Sequence, residues 1–88
     1  MGRVTSFRLE GVECLWYSQD HRPPHFHARK RGQWHVRVFF QEPRERMLER
    51  VPGERGIIGS TDRKALSIRA TQHRGELLRE WEEKVSYD

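Results

Sequence analysis

Apolar and polar residues alternate through residues 25–40 of this chain, and apolar residues recur at three- to four-residue spacing in its last third. Trp34, Val36, Val38 and Phe40 occupy every second position, as do Phe26 and Ala28, which is the period of a half-buried β-strand. Residues 3–9 and 12–17 are apolar runs split by Glu10-Gly11, which predicts a hairpin. Residues 25–30 and 34–40 predict a second hairpin around Gly32. Residues 18–24 between them form a loop, because Pro23 and Pro24 cannot donate to a central ladder.

Parity restricts the second hairpin. A two-residue turn at Arg31-Gly32 would set its two apolar rows on opposite faces. A three-residue turn, Arg31-Gly32-Gln33, pairs Ala28 with Val36 and Phe26 with Val38 and keeps one apolar face. The longer turn is expected, with Gly32 or a neighbour at positive φ. Its second face then carries His25, His27, Arg29, His35 and Arg37, basic, without a carboxylate, and expected in water.

Residues 42–60 are interrupted by Pro43, Pro52 and Gly53, so only short elements fit, around Met47, Leu48 and Val51 and around Ile57-Ile58. Ser60-Thr61-Asp62 offers N-cap side chains. Beyond it, Leu66, Ala70, His73, Leu77, Trp81 and Val85 recur at helical spacing, predicting an amphipathic helix of about 24 residues with a bend near Arg74-Gly75. The fold class is α+β: one domain, residues 1–88, with a small mostly antiparallel sheet and one long C-terminal helix on its apolar face. His73 falls on the apolar stripe, apart from the other histidines, and is expected to be buried against an acceptor. Trp34 and Trp81 read as core, Cys14 as a buried inert thiol, and Glu76, Arg79, Glu80, Glu82, Glu83 and Lys84 as a solvated helix face.

Composition narrows the setting. Of 88 residues, 34% are hydrophobic and 34% charged, so the core is thin and self-association would help to complete it. The single cysteine cannot form an internal disulfide, and no apolar run reaches membrane-spanning length, which together suggest a cytoplasmic protein. Net charge is +4, all of it within residues 1–41, where seven Arg/Lys face three Asp/Glu. A surplus confined to one half suits an anionic partner such as RNA or DNA.

Three of the five histidines lie within seven residues, in Asp20-His21-Arg22-Pro23-Pro24-His25-Phe26-His27. Three readings follow. His21, His25 and His27 can supply nitrogens to a divalent metal, with Asp20 adding an oxygen, although nearby arginines would repel the cation. His25 and His27 can act as acid and base on RNA beside Arg29 or Arg37, as in a metal-independent ribonuclease. Or Arg29, Arg31, His35 and Arg37 bind a nucleic-acid backbone or an acidic companion protein without chemistry, with Phe39 or Tyr17 stacking on an unpaired base. The histidines can also simply shape a turn by bonding to backbone carbonyls.

The His21-x-Pro23-Pro24-His25-x-His27 motif and the helix containing His73, Leu77-Leu78 and Trp81 resemble the DUF4160 family of small bacterial and archaeal proteins. The resemblance covers nearly the whole chain and is weakest over the arginine-rich residues 42–60. It implies no established activity. It does imply a gene often placed beside a second small protein, DUF2442, in an arrangement like toxin–antitoxin pairs. Taken together, these readings favour a binding module acting through the basic face, with a toxin-type ribonuclease as the alternative.

Overall fold

The computed structural model describes residues 2–18 and 20–85; Gln19 of the anticipated loop lies outside them. Five strands form one antiparallel meander in chain order: β1 (Gly2–Arg3), β2 (Glu13–Trp16), β3 (Phe26–Lys30), β4 (Trp34–Val38) and β5 (Leu48–Arg50). Two helices follow, α1 (Ser60–Gln72) and α2 (Arg74–Lys84). The protein is an α+β fold, and among the described residues no helix is long and apolar enough to cross a membrane.

The β3–β4 hairpin has the register that parity demanded. Phe26 pairs with Val38, His27 with Arg37, Ala28 with Val36 and Arg29 with His35. The turn is Arg31-Gly32-Gln33, with Gly32 at φ 75°, a conformation in which a Cβ would be strained. Phe26, Ala28, Val36, Val38 and Phe40 are each no more than 2% exposed and face Leu66, Ala70, Leu77 and Trp81 from the helices. Trp16 packs edge-on against Phe26, Phe40 and Trp81, with centroids 5.9–6.2 Å apart, so aromatic rings fill much of the space between sheet and helices. Cys14 is buried, which pushes its thiol up to about 12, and it stays a protonated hydrophobe.

The helical region differs from expectation at both its start and its middle. Gly59 occupies the N-cap and no side chain caps α1. Asp62 turns instead toward the sheet, where it accepts from Trp34 Nε1 at 3.2 Å and faces Lys30 Nζ at 3.5 Å. The single long helix is two, parted at His73 (φ −116°, ψ 22°), one residue before the anticipated bend. His73 closes α1 through its N–H, and its carbonyl accepts from Leu77 at 2.8 Å to open α2. Its ring is half-buried rather than buried: it stacks on Phe7 and its Nδ1 lies 2.9 Å from Glu76 Oε1.

Glu80 departs furthest from its expected place. It is 8% exposed, not solvated, and its carboxylate accepts from Thr5 N (2.9 Å), Ser6 N (2.7 Å), Ser6 Oγ and Trp16 Nε1 (3.0 Å). This also explains the first hairpin, whose strands pair at Gly2–Arg3 and again at the Leu9–Val12 bridge, around Glu10-Gly11. Between them the Thr5-Ser6 backbone donates to Glu80 from α2.

In the 42–60 region, a 3₁₀ turn at Arg44–Arg46 precedes β5, and Met47 is fully buried. Ile57-Ile58 forms no strand: Ile58 is in the core and Ile57 is 74% exposed.

Candidate functional site

Because strand side chains alternate, the face of β3 opposite the helices carries His27 and Arg29. β2 adds Glu13 and Leu15 beside them, with Leu15 directly across from His27 and Glu13 across from Arg29. β4 adds His35 and Arg37, and β5 places Glu49 opposite Arg37. The carboxylate-free face anticipated from the hairpin alone therefore does not exist. Glu13 Oε1 accepts from both Arg29 Nε and Arg31 Nε at 3.0 Å, and Glu49 Oε1 accepts from Arg37 Nη1 at 2.8 Å. The bond from Arg29, then that from Arg31, holds Glu13 below the usual carboxylate range.

The imidazoles are not in water either. His25 and His27 are each 6% exposed. Tyr17 lies parallel to the His27 ring, centroids 3.9 Å apart and planes within 6°. Phe39 and Trp81 approach His25 at 4.9 and 5.8 Å, so His25, just ahead of β3, meets rings from both layers. Tyr17 thus stacks on an imidazole, Phe39 packs at a tilt against another, and both rings are half-buried rather than exposed.

The loop brings Asp20 over both histidines. Its Oδ2 lies 3.3 Å from His25 Nε2 and 3.2 Å from His27 Nε2. The outer ring nitrogens are engaged elsewhere: His25 Nδ1 donates to the Pro23 carbonyl at 2.9 Å, and His27 Nδ1 is 3.0 Å from His35 Nε2. Burial pushes His27 down to about 4, despite the opposing pull of Asp20, and burial lowers His35 as well. His21, the third anticipated ligand, is exposed, and the grouped ligand atoms belong to Asp20, His25 and His27. The acid–base pair anticipated from the sequence, His25 and His27, is thus nearly closed off from solvent.

A second feature adjoins this cluster at the tip of the β3–β4 hairpin. A cleft of about 720 Å³ is walled by Arg29, Lys30, Arg31 and Trp34 on the hairpin, with His35, and by Glu54, Arg55 and Gly56 on the returning chain. Gly56 makes this approach possible: a Cβ there would lie 1.6 Å from the Gln33 carbonyl oxygen. Arg55 was not singled out from the sequence, because only this chain reversal brings it opposite Arg31.

A short antiparallel meander backed by two helices, with a sealed His-His-Asp cluster and a cationic cleft beside it, defines a small α+β domain. The chain belongs to DUF4160, a domain of unknown function, whose family model matches residues 13–82. That span runs from β2 through most of α2 and takes in both the cluster and the cleft. Neither the curated proteins nor the solved structures include a match to this chain.

Proposed function

We infer that this domain binds a nucleic-acid backbone through the cleft at the β3–β4 hairpin tip. The observation that carries the reading is the cleft's charge: Arg29, Lys30, Arg31 and Arg55 surround it against one wall carboxylate, Glu54. Two further carboxylates reach in from outside, Glu13 to the two arginines and Asp62 to Lys30. Even so, Arg29 and Arg31 engage Glu13 only through Nε. Their terminal Nη groups, in the fork that suits phosphate oxygens, have no partner among the described residues. Arg31 is 79% exposed and Arg55 is exposed without a carboxylate partner among those residues.

Such contacts are electrostatic and carry no base readout, since the nearby aromatic rings are occupied. Binding is therefore expected to be weakly sequence-dependent and strongly salt-dependent. Fluorescence anisotropy of a labelled single-stranded RNA in EDTA, across a salt series, tests this. Each lost phosphate contact removes roughly 0.7 from the slope of log K against log salt, so Arg31→Ala/Arg55→Ala should flatten it by about 1.4. No binding, or a slope the double variant leaves unchanged, overturns the reading and turns attention to an acidic protein partner.

A further inference from the structure

We propose that Asp20 Oδ2, His25 Nε2 and His27 Nε2 form a binding site for a divalent transition metal of the zinc class, with at least one coordination position left for water or another ligand. The proposal uses residues and a readout separate from the cleft.

Asp20, His25 and His27 can each offer one ligand atom within 4.8 Å of the other two, and the separations from Asp20 Oδ2 to the two Nε2 atoms are 3.3 and 3.2 Å. Ligands held at about 2.0–2.2 Å from one ion stand roughly 3.0–3.5 Å apart in octahedral or tetrahedral arrangement. Both separations from Asp20 Oδ2 fall within that range.

The Pro23 carbonyl can only accept, so His25 Nδ1 carries the proton. In the neutral ring, Nε2 is then a bare lone pair aimed at a carboxylate oxygen 3.3 Å away. Two acceptors face each other, and a cation between them removes the conflict.

The cluster's own bonding is incomplete. Asp20 Oδ2 and His27 Nε2 are buried polar atoms without a hydrogen-bond partner among the described residues, although they are 3.2 Å apart. Burying such groups unpaired costs free energy, and one ion satisfies both. The support around them is of the kind that orients ligands: the Pro23 carbonyl on His25 Nδ1, His35 on His27 Nδ1, and Tyr17 flat on the His27 ring.

The neighbouring arginines, which from the sequence weighed against a metal, are drawn off: Arg29 and Arg31 to Glu13, Arg37 to Glu49. Two imidazoles and one carboxylate, without thiolate, select zinc, iron(II), cobalt(II) or nickel(II) over magnesium or calcium.

The test is calorimetric titration of the untagged, EDTA-treated full chain with ZnCl₂, with ¹⁵N NMR of the histidine rings in parallel. The expected result is one Zn²⁺ per chain with Kd tighter than about 10 μM. On saturation the His25 and His27 Nε2 resonances should shift more than any nitrogen of His21 or His73. Asp20→Asn should weaken binding roughly 100-fold, whereas His21→Ala should leave it within about twofold. Weaker wild-type binding, or ring shifts centred on His21 or His73, overturns the proposal. So does an Asp20→Asn variant that binds as the wild type does, and the NMR result decides alone if that variant does not fold.

Discussion

Replacing Glu80 with alanine will destabilise the domain by about 3–5 kcal/mol, because four donors from two segments lose one buried acceptor. Thr5 and Ser6 would be left with donors facing the cavity, and Trp16 Nε1 would be buried unpaired in the centre of the core. The same network predicts a pH signature. Burial by itself would raise Glu80, but the bonds from Ser6, Thr5 and Trp16 outweigh it and hold the carboxyl at about 2, against 4.5 in its ordinary state. A depressed folded-state value stabilises the fold above the unfolded pKa and loses that contribution as pH falls through the folded one. About 3 kcal/mol should therefore be present at pH 6 and decline between roughly pH 4.5 and pH 2. Urea unfolding of wild type and Glu80→Gln across that window measures it. The wild-type curve should fall more steeply, since glutamine does not titrate; parallel curves would assign the acid loss to other carboxylates.

The second large effect is expected at Trp81. Its ring is 1% exposed and packs on Trp16 at 6.2 Å and on His25 at 5.8 Å. Trp81→Ala opens a cavity between α2 and β2 and should cost about 3–5 kcal/mol in the urea midpoint. Trp81→Phe retains most of the apolar volume and should cost less than half of that. Because His25 leans on this ring, the alanine variant should also loosen the Asp20 cluster, visible as faster amide exchange at His25 and Phe26. Equal losses from the two variants would mean that the ring contributes by something other than filling space.

Local alternation and helical spacing carried much of this fold. The β3–β4 register follows from two apolar rows and one glycine, since a turn of even length puts the two rows on opposite faces. Leu66, Ala70, Leu77, Trp81 and Val85 became the core stripe that their spacing announced. The site was harder to read, because it depends on strands and loops remote in sequence. Glu13 and Glu49 pair with the hairpin's arginines from β2 and β5, which no pattern within residues 25–40 contains. His25 and His27 were expected in water on the strength of parity alone, and parity does set His27 opposite the apolar row. What seals them is a second, smaller apolar group on that face. Leu15, Tyr17 and Phe39 have the parity of the polar row, and this was a signal of burial in the sequence.

Asp20 was within reach as a ligand, yet only a closed loop shows that it, and not His21, meets both rings. Glu80 borders the stripe at three residues from Leu77, a position that helical spacing leaves ambiguous. Its donors, Thr5 and Ser6, lie more than seventy residues away in the chain.

The sealing of the histidine pair distinguishes a buried, pre-organised cluster from a wet basic surface, and one titration addresses it directly. In metal-free protein, the His27 ring followed by NMR from pH 8 downward should remain neutral to about pH 5 and titrate near 4. A midpoint at pH 6 or above would put that imidazole in solvent and contradict the account.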